Sequence, residues 1–241
     1  MKLTKGMTVG IIGGKGRTGQ QFAKLFRAQG FRVQVTGSKT PEKNIELAKT
    51  ADILLFSVPL QVAAEIIRSV CKHAKRKDQL ILDVSSLKVD TVRAMQTARG
   101  EVIGMHPLFG PFTDPKGEEV ILCPAKASQE TEKSLTEVLQ VMGFTVLRMT
   151  PKEHDTLMAI VQVIPHLKSL LIADLLKSMK VDLPRIMRSC TPTYELEFNV
   201  VGRFLDDSAA LYMPIIFKNP ALKNVMKHLQ KSMQRAEGIA R

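Results

Sequence analysis

The stretch 9-VGIIGGKGRTG-19 decides the fold of this chain. Gly14, Gly16 and Gly19 form the pattern G-x-G-x-x-G directly after an apolar run and at the start of an amphipathic stretch. In that setting the first glycine permits a tight turn, the second lets the backbone approach a pyrophosphate, and the third lets helix and strand pack closely. The helix N-terminus adds backbone N–H groups and the positive end of a dipole. The stretch predicts a dinucleotide-binding site; the alternative is a purely structural turn.

Outward from this loop, short apolar runs rich in Val, Ile and Leu alternate with amphipathic stretches. This alternation predicts an α/β fold with a Rossmann-type, doubly wound and mostly parallel sheet. The predicted strands are 7–13, 31–37, 52–59, 79–86, 101–107, 119–124 and 144–149, and the predicted helices between them are 17–29, 42–49, 60–74, 88–98 and 129–142.

The pattern changes at 150-TPKEHD-155, which is typical of a helix start. Thr150 is the predicted N-cap, Pro151 the first helical residue and Glu153 the partner in a capping box. No convincing strand follows, and Pro165 is expected to kink the long helix 151–180. We therefore predict a dinucleotide-binding domain over 1–150 and a smaller all-helical domain for substrate binding and dimerisation over 151–241.

Composition narrows the function classes. The 241 residues carry a formal net charge of +12, but the basic residues are scattered and there is no Trp. This favours a basic surface, solvated or attracting small anions, over nucleic-acid binding. No apolar run approaches the about 18–20 residues of a membrane span. Three widely spaced cysteines without a CxxC pair predict a cytoplasmic protein with reduced thiols and no metal site.

The end of the second predicted strand bears on the choice of cofactor. In 34-QVTGSKT-40 no carboxylate is present to bind the ribose hydroxyls of NAD, and Ser38 and Lys39 could hold a 2′-phosphate. This favours NADP, with NAD as the alternative if these are ordinary turn residues. The predicted cofactor-binding residues are Gly14, Gly16, Arg17, Thr18, Gly19, Ser38, Lys39, Ser57 and Pro59.

Polar residues follow the later strands, at the edge of the sheet where open α/β folds bind ligands. Ser86, Lys88 and His106 are therefore expected to face the reactive end of the cofactor. Each has a simpler alternative: Ser86 as a helix cap, Lys88 as a solvated residue, and His106 as an imidazole packed in its turn.

The predicted helical domain adds further polar candidates. Asp155, Ala159, Gln162 and His166 have the spacing of one helical face, and polar groups there need partners in the protein or in a ligand. Arg203 follows an apolar run and is suited to bind a carboxylate bidentately. The alternative for Arg203 is a salt bridge within the chain, to Glu195, Glu197 or Asp206.

Six motifs over residues 9–204 resemble the prephenate/arogenate dehydrogenase family of tyrosine biosynthesis. They are IIGGKGRTG, SVP, DVSSLK, GMHPLFGP, EHDTLMAIVQVIPH and PTYELEFNVVGRF. The resemblance implies oxidative decarboxylation of prephenate with NADP or NAD, in a homodimer joined through the helical domains. It also implies that His106 accepts the hydrogen bond of the substrate hydroxyl with help from Ser86, and that Arg203, His166 and Gln162 bind the substrate. Arogenate dehydrogenase, a different NAD(P) dehydrogenase and a non-catalytic NAD(P)-binding sensor are the alternatives.

Overall fold

The computed structural model describes residues 1–110, 113–206 and 209–239. The chain divides into two compact units, Met1–His154 and Asp155–Arg241. The first unit is a sheet covered by helices, and the second is entirely helical over the residues that the structure describes.

The sheet of the first unit has seven strands in the order β2-β1-β3-β4-β5-β6-β7. Neighbouring strands are parallel except for β5 and β6, which are antiparallel. Every strand falls within or beside a predicted apolar run, and the predicted doubly wound, mostly parallel sheet is confirmed. The strands are β1 Thr8–Ile12, β2 Arg32–Val35, β3 Ile53–Phe56, β4 Leu80–Asp83, β5 Glu101–Pro107, β6 Glu119–Lys126 and β7 Thr145–Arg148.

Helices cover both faces of this sheet, which explains why its central strands are apolar on both sides. One hydrophobic cluster packs α1 and α5 against the sheet, and a second packs α2, α3 and α4 against the opposite face. In α1, Gly19, Phe22, Ala23 and Phe26 are buried at helical spacing. The helices are α1 Arg17–Ala28, α2 Pro41–Thr50, α3 Leu60–Cys71, α4 Val89–Met95 and α5 Gln129–Val141.

The predicted capping box at the start of α6, Pro151–Met158, is confirmed. The Glu153 N–H donates to Thr150 Oγ1 at 3.2 Å, and the Thr150 N–H donates to Glu153 Oε2 at 2.7 Å. A π-helical turn, Ala159–Val163, separates α6 from α7, Ile164–Ser178. The predicted interruption thus takes the form of a π-helical turn that ends two residues before Pro165, whose ring removes a backbone donor.

The second unit has a small core built around this π-helical turn. Ala159 and Val163 pack with Phe204 and Ile216. The Asn219 side-chain amide donates to the Asp155 carbonyl oxygen at 2.9 Å and ties the first residue of the unit to the segment around 219. The remaining helices are α8 Leu183–Arg188, α9 Pro192–Asp206, α10 Ala209–Phe217 and α11 Leu222–Ile239.

Within the described ranges, the helical stretch Pro151–Ser178 is long and apolar enough to cross a membrane by length and composition. Its best 18-residue window has a mean hydropathy of 1.6, and 28% of that window is buried. Gln162, Pro165 and Lys168 interrupt the apolar runs of this helix without lowering its average much. The helix therefore meets the criterion for a membrane span when hydropathy is averaged over 18 residues, although none of its uninterrupted apolar runs is long enough.

Candidate active site

The glycine loop between β1 and α1 is packed so tightly that three of its glycines leave no room for a side chain. A Cβ on Gly13, whose φ is +79°, would lie 2.2 Å from the Ser57 carbonyl oxygen. One on Gly14 would lie 2.7 Å from Val35 Cβ, and one on Gly19 would lie 2.7 Å from the Gly13 carbonyl oxygen. Gly13 was not among the predicted residues, although its place directly after the strand is where a positive φ is needed.

The same loop lies where the strand order reverses. The chain passes from β1 to β2 on one side and then returns to β3 on the other side of β1. Open α/β sheets bind dinucleotides at such a switch point. Ser57 follows β3 here, with its N–H bonded to the Ile12 carbonyl oxygen at 2.8 Å, and Pro59 directly precedes α3.

The start of α1 fits a diphosphate. Gly16, Arg17 and Thr18 lie at its N-terminus, where Gly16 and Arg17 are exposed. Among the described residues, no side chain caps this helix and no acidic residue occupies its first turn. Backbone N–H groups and the positive end of the helix dipole therefore face outward, as an anion site requires.

Ser38 and Lys39 lie in an exposed turn after β2, as the cofactor prediction needs. Lys15, which was not predicted, reaches the same place from the glycine loop. A Cβ on Gly37 would lie 3.0 Å from Lys15 Cδ, so the absence of a side chain at Gly37 lets the Lys15 stem pass over this turn. Lys15 and Lys39, which come from two different loops, therefore lie at the same edge of the first unit.

His106 is the next-to-last residue of β5, and its imidazole is bonded to a second imidazole. His106 Nδ1 lies 2.8 Å from His154 Nε2, with the ring planes inclined by 67°. Both rings are buried, at 3% and 0% exposure. His154 is the functional candidate that sequence reasoning missed, because only the fold brings it to His106.

Lys88 makes a second buried network beside this pair. Its Nζ lies 2.7 Å from both carboxylate oxygens of Asp83 and 2.6 Å from the Met105 carbonyl oxygen. Lys88 and Asp83 are both fully buried. The interpretation of Lys88 as a solvated residue is therefore wrong, and its contacts are with the protein itself.

Gly104 makes room for this lysine. A Cβ on Gly104 would lie 2.8 Å from Val92 Cγ2 and 3.0 Å from Lys88 Cδ. The Met105 carbonyl that Lys88 binds directly precedes His106 in the chain. The network therefore fixes the backbone of β5 at the residue before the imidazole.

The surroundings of His106 favour the neutral imidazole. Burial lowers the pKa of His106 well below its ordinary value of 6.5, and the charges of His154 and Lys88 lower it further. A neutral ring has one donor and one acceptor nitrogen. His106 is thus suited to exchange a proton with a ligand hydroxyl at neutral pH.

Ser86 is half-buried in the bend after β4. The alternative role of Ser86 as a helix cap is wrong, because α4 begins at Val89 and Lys88 occupies the cap position. The preceding Ser85 is 7% exposed, and within the described residues its Oγ has no hydrogen-bond partner. This bend therefore carries two hydroxyl groups near the carboxyl end of β4.

The remaining predicted residues belong to the second unit. His166 is half-buried at the start of α7, with its ring 4.4 Å from that of Tyr212 and 6.0 Å from that of Phe204. Partial burial lowers the pKa of His166. Arg203 is exposed in the last turn of α9. Of its predicted partners, Glu197 pairs with Lys168 at 3.0 Å.

The single polar face predicted for Asp155, Ala159, Gln162 and His166 is wrong. Asp155 and Ala159 are buried, and the buried face continues through Val163, whereas Gln162 and His166 are half-buried. The reason is the π-helical turn, whose wider spacing shifts the residues after it around the helix axis. In the described part of the chain no cluster of three His, Cys, Asp or Glu residues could hold a metal ion.

A glycine loop at the switch point and a buried neutral imidazole on β5 of the same sheet define the class: a dinucleotide-binding α/β unit joined to a helical unit. Residues 18–148 match the family described as "Prephenate dehydrogenase, nucleotide-binding domain". Residues 150–241 match "Prephenate dehydrogenase, dimerization domain". The chain therefore belongs to the prephenate dehydrogenase family, which confirms the resemblance drawn from its motifs.

Curated relatives agree with this assignment. The chain is 33% identical to a probable arogenate/prephenate dehydrogenase of Methanocaldococcus jannaschii over 91% of this chain and 53% of that protein. It is 28% identical to the T-protein of Enterobacter agglomerans over 87% of this chain and 56% of that protein. The chain thus spans about half the length of these relatives.

A solved structure shares the fold. It is prephenate dehydrogenase from A. aeolicus in complex with hydroxyphenyl propionate and NAD+, with a TM-score of 0.79 and 23% identity. The match covers 99% of this chain and 92% of that one.

Proposed function

We propose that this protein is an NAD(P)-dependent prephenate dehydrogenase that converts prephenate to 4-hydroxyphenylpyruvate in tyrosine biosynthesis. The observation that carries the proposal is the buried, neutral His106 on β5 of a sheet that bears a dinucleotide-type glycine loop. Membership in the family supports the choice of substrate.

The reaction removes a hydride from the ring carbon that bears the hydroxyl and a proton from that hydroxyl. A nicotinamide dinucleotide bound at the glycine loop supplies the hydride acceptor. His106 accepts the hydroxyl proton as the oxygen becomes a carbonyl, which a neutral imidazole can do and an imidazolium cannot. The bond to the ring carboxylate then breaks, carbon dioxide leaves, and its electron pair makes the ring aromatic, while the carbonyl oxygen takes the proton back from His106 and becomes the phenol hydroxyl.

Residues of both units take part in this proposal. Ser86 holds the substrate hydroxyl from the bend after β4, and Arg203, His166 and Gln162 bind the substrate from the helical unit. Arg203 is the residue suited to a substrate carboxylate, because a guanidinium binds carboxylates bidentately and stays charged. Its side chain is exposed, so a ligand can reach it.

For the cofactor we propose NADP over NAD. Two observations support this choice: the exposed Ser38 and Lys39 after β2, and the Lys15 stem that passes over Gly37. A 2′-phosphate would find lysine charges here, and no carboxylate follows β2 until Glu42. The residues that would hold the diphosphate are Gly14, Gly16, Arg17, Thr18 and Gly19, with Ser57 and Pro59 at the neighbouring strand end.

We also propose a homodimer formed through the helical unit. The family description of residues 150–241 is a dimerization domain. Apolar side chains are exposed along the helices of this unit, and covering such surfaces favours association. They include Ile160, Val161, Ile164, Leu171, Leu175 and Met179. We also propose a cytoplasmic location, because the sequence has three widely spaced cysteines without a CxxC pair.

The test is a set of initial rates with prephenate and with arogenate, each with NADP and with NAD, followed by nicotinamide absorbance. We expect turnover of prephenate with the higher kcat/KM for NADP. A higher kcat/KM with arogenate would assign the second candidate, a substrate that the name of the Methanocaldococcus jannaschii relative includes beside prephenate. Binding of NADP without turnover of either substrate would identify a sensor and refute the enzyme.

His106→Asn removes the proposed proton acceptor and tests its role. We expect kcat to fall by about 100-fold or more, within the range of general acid–base contributions, while the Kd for NADP stays unchanged. Full activity in this variant would refute the role given to His106.

Arg203→Gln should raise KM for prephenate far more than KM for NADP, and equal effects would indicate a structural role.

A further inference from the structure

We propose that His154 is a positioning residue that holds His106 in the tautomer with the proton on Nδ1. This inference rests on the proposed function, because the tautomer matters most if His106 accepts a proton. It goes further by giving a role to a residue outside the set predicted from sequence.

The geometry fixes which nitrogens are involved. His106 Nδ1 and His154 Nε2 lie 2.8 Å apart, the distance of a full hydrogen bond between ring nitrogens. The ring planes are inclined by 67°, so the two rings meet through their nitrogens and do not stack. Because Nδ1 of His106 is engaged with His154, proton exchange with a ligand must use Nε2.

The direction of the shared hydrogen decides what Nε2 can do. If His154 Nε2–H donates, His106 carries its other proton on Nε2 and cannot accept one there. If His106 Nδ1–H donates, Nε2 has a lone pair and can take the proton of a hydroxyl. The proposed reaction requires the second arrangement, in which His154 accepts.

Local structure holds His154 where it can accept. The capping box of Thr150 and Glu153 sets the start of α6, and the His154 N–H donates to the Thr150 carbonyl oxygen at 2.9 Å. The His154 ring is fully buried, so water cannot readily replace it as the partner of His106. The acceptor is therefore placed by the first turn of a helix.

A neutral acceptor suits this site better than a carboxylate. A carboxylate beside His106 would stabilise the imidazolium and raise its pKa, as opposite charges do. The charged and titratable groups that face His106 are Lys88, whose charge opposes protonation, and His154, which opposes it only when its own ring is protonated. His154 thus orients the ring and leaves it neutral over the physiological range.

Nitrogen-15 NMR of the histidine side chains tests the tautomer without substrate, and His106→Asn assigns the signal. At neutral pH we expect His106 to carry its proton on Nδ1 in the wild-type protein. A proton on Nε2 would overturn the proposal. This readout is independent of the reaction, so a failure of the proposed enzymatic function would show separately, as absence of turnover by the same sample.

Two variants then separate positioning from packing. His154→Gln keeps an acceptor oxygen near the position of Nε2, whereas His154→Leu fills the space without one. We expect His154→Leu to lower kcat by about 10- to 100-fold, the range for loss of a residue that orients a functional imidazole. We expect His154→Gln to restore most of this activity.

The pH profile supplies a readout that a purely structural role would not move. Two adjacent imidazolium rings repel each other, which is one cause of the lowered His106 pKa; without this repulsion, His154→Leu should shift the acidic limb of kcat to higher pH. Equal kcat and equal pH profiles in His154→Leu and the wild type would overturn the proposal. If His154→Leu does not fold, the wild-type tautomer and the activity of His154→Gln still decide it.

Discussion

Replacing Lys88 with methionine would test how strongly the buried ion pair beside His106 stabilises the first unit. Methionine keeps most of the aliphatic stem but removes the charge that lies 2.7 Å from both Asp83 carboxylate oxygens. Asp83 would keep the Ser85 N–H at 3.1 Å, one neutral donor in place of an ammonium group. Removing one partner of a fully buried pair costs about 3–5 kcal/mol, because the remaining charge has no compensation. We expect a loss of this size from a total stability of about 5–15 kcal/mol.

Urea unfolding followed by far-UV circular dichroism measures this loss, since the chain has no Trp for fluorescence. Adding Asp83→Leu to Lys88→Met should recover most of the stability, because an apolar pair of similar volume leaves no buried charge. Lys43→Met on the exposed surface of α2 is the matched control, with an expected change within about 0.5 kcal/mol. A loss below about 1 kcal/mol in Lys88→Met would refute the reasoning.

Three further predictions follow from the described contacts. The pKa of His106 lies well below 6.5 in the folded chain, so its contribution to the free energy of unfolding is full above about pH 6.5. That contribution is lost as pH falls, by up to about 1.4 kcal/mol per pH unit, because the unfolded chain binds a proton that the folded chain does not. In His106→Leu the difference between the urea midpoints above and below pH 6.5 should therefore become smaller. Gly19→Ala places a Cβ 2.7 Å from the Gly13 carbonyl oxygen. It should lower the free energy of unfolding by about 1–3 kcal/mol and weaken NADP binding in calorimetry. Gly202→Ala, with nothing within 4 Å of the new Cβ, should raise the free energy of unfolding by about 0.5–1 kcal/mol. Thr150→Ala removes one bond of the capping box and should cost about 1 kcal/mol in thermal unfolding, whereas Thr150→Ser should cost little.

Local patterns were sufficient to predict the elements of the first unit. Each strand lies in an apolar run bounded by turn residues, and the capping box forms between Thr150 and Glu153, three residues apart, as such motifs require. The glycine loop was equally accessible, because its function depends on consecutive residues.

Contacts between distant residues could not be predicted in the same way. His106 and His154 are 48 positions apart, and no periodicity relates a strand residue to the first turn of a helix beyond three other elements. Lys88 is a typical exposed residue by type, and its burial follows only from Asp83 and the space at Gly104. The polar face through Gln162 and His166 assumed a regular α-helix, which the π-helical turn breaks.

The missing side chain at Gly104 links three positions in the evolution of this sequence. A larger residue at 104 would collide with Val92 and the Lys88 stem, so it becomes acceptable only after both side chains are shortened. Lys88 in turn can be lost only together with the charge of Asp83, since either charge alone is buried without compensation. Substitutions must therefore accumulate in an order, with Asp83 and Lys88 changing as a pair before Gly104. A library randomised at 83, 88, 92 and 104 should recover side chains at 104 only in clones with a smaller residue at 92 and apolar, shorter residues at 83 and 88.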